Sequence, residues 1–310
     1  MHIAYEQAAT NPAVYSRAAA PAVRNESGCS RRIIFLDIDG TFTLPGSNEA
    51  PPSAAFAVRQ ARSRGNLVFL CSGRNEGMLA PVLQYGFDGY ISCSGGRVVC
   101  GGEVIYDRPM SAEQQRRAEE ILRANGIYVT VECRSGSYTD EAFKEFLRTH
   151  AAEGSNSELL RWRRQIESSL GILPMREYCG EPVYKMVLMM TDRRQLEEPI
   201  RQLGSEFAFC IPGRDGFGIV NAEMVGKGVD KGRAVELVCE HLRIPLADSV
   251  AFGDSMNDRE MMQTAGFSVC MENGSADLKR MSDAVCPAVD RDGLAQAFAR
   301  YGLSGQSQGN

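Results

Sequence analysis

Short unbroken apolar runs recur along this chain, each followed by a segment patterned as a helix. Ile33 to Leu36, Leu67 to Cys71, Tyr90 to Cys93, Ser249 to Phe252 and Phe267 to Cys270 are all of strand length. Between them, Ala54, Ala57, Val58 and Ala61, and later Val235, Leu237, Val238 and Leu242, fall at helical spacing. Strands without polar alternation are buried on both faces, and intervening helices supply the cover. The pattern predicts an α/β fold, a doubly wound (Rossmann-like) parallel sheet, over residues 31–108 and 215–303.

Between these halves the texture changes. Arg97 to Cys100 and Glu103 to Tyr106, joined by Gly101-Gly102, read as a β-hairpin. Residues 109–214 then mix charged helices (Ala112 to Asn125, Ser157 to Ser169) with strands (Ile127 to Cys133, Val183 to Thr191). This is the pattern of an inserted α+β domain. Residues 1–30 read as an extension and 304–310 as a tail.

The chain has 310 residues, a net charge of -5 and 24% charged residues. That balance gives no broad attraction to nucleic acid or to an anionic membrane. No apolar run approaches the roughly 20 residues that a membrane span requires. The ten cysteines are scattered singly, beside only three histidines. Buried free thiols are expected, with a reducing cytoplasm as the compartment.

Four clusters carry chemistry, and each lies past a strand or at a helix start. In Asp37-Ile38-Asp39-Gly40-Thr41, two carboxylates one residue apart can enter one cavity, one as nucleophile and the other as general acid and base. Alone, the same motif suits an acidic turn. Ser72-Gly73-Arg74 offers a hydroxyl and N–H groups for a phosphoryl group, or a plain helix cap, with Arg74 either a phosphate contact or an ion-pair partner. Lys231 opens a helix and can offset phosphoryl charge, although a lone lysine is ordinarily solvated. Gly253-Asp254-Ser255-Met256-Asn257-Asp258 places oxygen ligands suited to magnesium around a turn, or caps a helix. Their order supplies nucleophile, phosphate donors, cation and metal ligands without redundancy. A phosphate dianion approaches an aspartate only when such charges offset it.

As an ordered set these motifs resemble the haloacid dehalogenase superfamily, and the GDSMND form with its long insertion resembles the Cof-type phosphatases. Met271-Glu272-Asn273-Gly274 and Asp292-Gly293 extend the resemblance towards the end of the chain. It implies a phosphatase acting on a small phosphorylated metabolite, such as a sugar phosphate, flavin mononucleotide or pyridoxal phosphate. Asp37 would be phosphorylated and Asp39 would act as acid and base. Mg2+ would be held by Asp37, Asp39 (through its backbone carbonyl) and Asp254, with Asp258 binding it or orienting its ligands. Ser72, Gly73, Lys231 and Asn257 would hold or position the phosphoryl group.

The resemblance makes residues 109–214 a cap that selects the substrate. Lys185 and Arg214 within it, together with Thr41, Arg74 and Ser94, are candidate substrate contacts. Ser94-Gly95 stands where family members often carry Asn-Gly, which puts leaving-group recognition in question. A phosphomutase would need the same two aspartates, and a non-catalytic sensor of phosphorylated ligands could share the fold.

Overall fold

The computed structural model describes residues 31–140, 142–143, 145, 172–211 and 220–304. The extension at residues 1–30, the helix expected from Ser157 to Ser169, Arg214, and most of the tail lie outside the described residues.

The chain enters through β1 (Ile33–Leu36), whose four residues are all buried. Next comes α1 (Pro52–Ser63), started by a proline in its first turn and burying Ala54, Ala55, Ala57, Val58 and Ala61. β2 (Leu67–Cys71) is followed by α2 (Glu76–Leu83), where the Asn75 side chain accepts the Met78 N–H as cap. β3 (Gly89–Ser92) then leads to the antiparallel hairpin of β4 (Arg97–Cys100) and β5 (Glu103–Asp107).

A second unit follows. α3 (Ala112–Ala124) begins with a capping box between Ser111 and Gln114. Then come β6 (Tyr128–Cys133), β7 (Ser137–Thr139), β8 (Ile172–Pro174), β9 (Val183–Met190), α4 (Glu197–Leu203), β10 (Phe207–Cys210) and β11 (Val220–Gly226). The chain returns through α5 (Lys231–Leu242), capped by Asp230, then β12 (Ser249–Gly253), α6 (Arg259–Thr264), β13 (Phe267–Met271), α7 (Ala276–Met281), β14 (Ala284–Cys286) and α8 (Gly293–Arg300).

Eight strands form one sheet in the order β14-β13-β12-β1-β2-β3-β4-β5, parallel from β14 to β3, with β4 and β5 antiparallel at the edge. Its two faces are both covered. Ile34, Leu36, Val68, Leu70, Val250 and Phe252 pack with α1 and α8 on one side. Ile33, Phe35, Phe69, Cys71 and Ala251 pack with α5 and α6 on the other. The expected α/β sheet is thus present, and it is buried on both faces as its unbroken apolar strands require.

The other sheet has the order β10-β11-β9-β6-β7-β8. One boundary needs correction. Residue 215 does not begin the return to the first sheet, because β11 pairs antiparallel with both β9 and β10. Its period-2 alternation explains this: Val220, Ala222 and Met224 join the second unit's own apolar core, while Asn221 and Glu223 face the opposite way. The crossing back follows Gly226. Nine cysteines among the described residues are free thiols, and seven of them are buried. No helix among the described residues is long and apolar enough to cross a membrane.

Candidate active site

The carboxyl ends of β1, β2 and β12 lie side by side, and the N-terminus of α5 meets them. Parallel sheets place sites at such strand ends. Asp37 follows β1 directly, and its N–H continues the ladder by donating to the Phe252 carbonyl at 3.0 Å. Its Oδ1 accepts a hydrogen bond from Lys231 Nζ at 2.8 Å. Lys231 Nζ also donates to Asp258 Oδ1 at 2.6 Å, so one buried ammonium bridges two carboxylates.

Asp258 Oδ2 accepts the backbone N–H groups of Asp254 and Ser255, both at 3.1 Å. With both oxygens engaged, Asp258 shapes the turn that presents Asp254. Asp254 Oδ1 is buried without a hydrogen-bond partner among the described residues. Gly40 is required beside it. Its φ is +87°, and a Cβ there would lie 2.4 Å from Asp254 Oδ2. Asn273 pins the same loop, donating through Nδ2 to the Gly40 carbonyl at 2.8 Å and accepting the Val289 N–H at 2.9 Å.

Asp39 is turned towards Arg74. Arg74 Nε donates to its Oδ2 at 2.9 Å and Nη2 to its Oδ1 at 2.8 Å, and the Gly46 N–H adds a bond of 3.0 Å. Arg74 is itself held by Asn48 Oδ1 and the Ser47 carbonyl. Of the two roles open to it from sequence, Arg74 thus fills the ion pair. Ser72 Oγ accepts the Arg74 N–H at 3.2 Å, which folds the Ser72-Gly73-Arg74 turn. Thr41 Oγ1 is buried in the same loop with no hydrogen-bond partner among the described residues. Asn257 is half-buried, and its Oδ1 accepts from Ser255 Oγ at 2.7 Å.

The charge balance is uneven. Asp37, Asp254 and Asp258 bring ligand oxygens within 4.8 Å of one another, against the ammonium of Lys231 alone among the described residues. Burial, reinforced by Asp258 and opposed by Lys231, pushes the Asp37 carboxyl up to about 7. Burial, then Asp37 and Asp258, also holds the Asp254 carboxyl well above the carboxylate range. For Lys231, burial works against the charge, but Asp258 and Asp37 outweigh it and raise its pKa. A cluster of hard oxygens with excess negative charge and a buried unpartnered carboxylate oxygen fits Mg2+.

The second sheet covers this centre. Glu132 on β6 and Lys185 on β9 are register partners, and Glu223 on β11 lies one step diagonal to Lys185. Lys185 is completely buried, with Nζ 2.6 Å from Glu223 Oε1, 3.1 Å from Glu132 Oε2 and 2.8 Å from the Gly73 carbonyl. The expected substrate contact is therefore corrected: its charge is spent inside the protein, against two carboxylates and the loop below. Ser94, in left-handed backbone at φ 57°, donates its hydroxyl to Glu223 Oε2 at 3.0 Å. A cavity of about 480 Å³ opens between the two units, lined by Ser94, Phe209, Glu223, Val225, Lys231 and Asn257 among others.

Glu132 and Glu223 were not singled out from sequence, and Asn273 was named there only within the Met271-Glu272-Asn273-Gly274 motif, without a role. For the two glutamates a signal existed. Val-Glu-Cys in β6, Tyr-Lys-Met in β9 and Ala-Glu-Met in β11 each set one charge within an apolar strand, which implies charges meeting on one buried sheet face.

A three-layer α/β core with an acidic centre at its strand ends and a second sheet above defines a capped hydrolase, and comparison with known proteins places it. The chain belongs to the haloacid dehalogenase-like hydrolase family, whose profile matches residues 34–298. It is a phosphatase of that family. YkrA of Bacillus subtilis (strain 168) is 27% identical over 277 residues, covering 88% of this chain and 98% of that protein. The HMP-PP phosphatase of Yersinia pestis (strain Pestoides F) is 27% identical over 255 residues, covering 80% of this chain and 86% of its own. The crystal structure of a hypothetical protein from Geobacillus kaustophilus HTA426 superposes with a TM-score of 0.70 at 26% identity, covering 88% of this chain and 99% of that one.

Proposed function

We propose that this phosphatase hydrolyses small-molecule phosphomonoesters, such as a sugar phosphate or a phosphorylated cofactor like flavin mononucleotide or pyridoxal phosphate, through a phosphoryl group carried on Asp37. The observation that carries this reading is the Asp37 carboxylate held at 2.8 Å by Lys231 beside the unpartnered Asp254 oxygen. A candidate nucleophile, a cation and a candidate ligand oxygen thus converge where the adjoining ends of β1 and β12 meet the start of α5.

Asp37 attacks phosphorus and the bond to the substrate's ester oxygen breaks, leaving the phosphoryl group on the carboxylate. Asp39 delivers a proton to the departing alkoxide and becomes the base. It then takes a proton from water as that water attacks the acylphosphate, which releases inorganic phosphate and regenerates Asp37. Lys231 and the Ser72-Gly73 turn offset the phosphoryl charge, and Arg74 orients Asp39 through its paired hydrogen bonds. Asp37, Asp254 and the Asp39 carbonyl would hold Mg2+, with Asp258 orienting Asp254. Bound there, the ion neutralises the phosphoryl oxygens so that an anionic substrate can approach an anionic nucleophile. The buried free thiols support a reducing compartment, the cytoplasm.

The test is phosphate release from a panel of phosphomonoesters, with Mg2+ and with chelator, by wild type and Asp37→Asn. Metal-dependent release that disappears in the variant is the expected result. Release that survives chelation or the substitution would remove the assignment.

A further inference from the structure

The second unit sets a row of charge against the catalytic loop that the reaction above does not use. Glu132, Lys185 and Glu223 come from three neighbouring strands, each is buried, and their formal charges sum to minus one. Burying three ionised groups is expensive and a mixed row is a weak source of stability. Its position is what makes it informative. A Cβ on Gly73 would find Lys185 Nζ at 3.2 Å, Ser94 Oγ at 3.3 Å and Glu223 Oε1 at 3.5 Å. The row therefore stands directly over the turn assigned to the phosphoryl group, where the leaving group must emerge.

Glu223 is the member of the row that reaches the cavity wall. It lines that wall together with Ser94, Lys231 and Asn257, whereas Glu132 and Lys185 do not. Lys185 and Ser94 fix its two carboxylate oxygens in place. A carboxylate accepts hydrogen bonds and donates none, and each oxygen can take more than one. Around it the wall is mixed, with Val225, Phe209, Val229 and Met256 among polar and charged residues, and it is the burial of Glu223 itself that limits the water able to screen a second negative charge beside it. Other charged groups on the wall are of both signs, Arg193 and Arg259 with Asp230, Glu260 and Asp277.

We infer that Glu223 reads the leaving group: it accepts a hydrogen bond from a hydroxyl or amino group next to the ester and rejects leaving groups that carry a carboxylate or a further phosphate there. This rests on the phosphatase reading above and narrows its substrate class to monoesters of uncharged, donor-bearing alcohols. It also separates this chain's preference from that of a diphosphate-cleaving enzyme, whose leaving group keeps a phosphate.

The test compares two substrates of nearly equal size, hydroxyethyl phosphate and phosphoglycolate, with p-nitrophenyl phosphate as a reference for the chemistry. Wild type should favour the hydroxyl compound in kcat/KM by about tenfold or more, the scale of a hydrogen bond to a charged group. Glu223→Gln keeps the shape and one acceptor but removes the charge, and should shrink that ratio by about tenfold. The wild-type ratio stands even if the variant folds poorly. Equal use of the two substrates, preference for phosphoglycolate, use of neither while p-nitrophenyl phosphate is turned over, or a folded variant with an unchanged ratio would each overturn the assignment. Failure to hydrolyse p-nitrophenyl phosphate would bring down the phosphatase reading itself, and this inference with it.

Discussion

Arg74 grips Asp39 through two parallel hydrogen bonds of 2.9 and 2.8 Å, and the guanidinium is 1% exposed. Paired donors fix the carboxylate's plane as well as its distance, which a single ammonium cannot do. Arg74→Lys should therefore loosen the acid and base while sparing the phosphoryl site. The expected outcome is a fall in kcat of about 10- to 100-fold, within the range that acid–base catalysis contributes. Inhibition by inorganic phosphate should change little. A parallel loss of phosphate affinity would show that Arg74 serves the phosphoryl group instead.

Lys231 is, among the described residues, the one ammonium beside Asp37, Asp254 and Asp258, and it is 1% exposed. Lys231→Met removes it and leaves Asp37 and Asp258 uncompensated in the interior. Breaking a buried pair from one side costs about 3–5 kcal/mol. Denaturant unfolding in chelator should register a loss of that order together with loss of turnover. An unchanged midpoint would mean that the carboxylates are protonated or hydrated when the lysine is gone.

Stability without metal should depend on pH in a defined direction. The Asp37 carboxyl is raised from 3.8 to about 7, and Asp254 moves the same way. Between those values the folded chain holds more protons than the unfolded chain, so stability falls as pH rises through the window. Lys231, with its pKa raised, stays charged throughout. Thermal melts in chelator should drop from about pH 4 to about pH 7, and Mg2+ should flatten the profile because the ion replaces the protons. A chelated profile that rises over this window would contradict the electrostatic account.

Gly40→Ala tests the close approach of the loop to Asp254. The added Cβ would sit 2.4 Å from Asp254 Oδ2 at a φ of +87°. Both the clash and the backbone strain oppose it. Turnover should fall steeply and the Mg2+ concentration for half-activity should rise. Wild-type metal dependence in this variant would mean that the loop is free to shift.

Much of the centre was legible because its chemistry sits at chain positions that strands and helices define. Asp37, Ser72 and Asp254 each follow an apolar run, and Lys231 opens a helix, so alignment of parallel strands brings them together without knowledge of side chains. What escaped was set by pairing across strands. β11 could not be assigned to its sheet from residues 215–226 alone, since an alternating strand fits any partner with one apolar face. Glu132 and Glu223 lie 91 positions apart, and only the register of β9 between their strands joins them. Lys185 looked like an open cation for the same reason: its partners are on other strands. Arg74 was left with two roles because the loop carrying Asn48 and Ser47 gives no periodic signal.

The central claim is that a covalent bond forms between phosphorus and Asp37. Rapid acid quench during turnover, followed by peptide mass analysis, addresses it directly. The expected result is a phosphoryl group on the peptide carrying Asp37, absent in Asp37→Asn and accumulating in Asp39→Asn, where release by water is slowed. Full turnover with no phosphoryl group on that peptide, or with wild-type rates in Asp37→Asn, would contradict it.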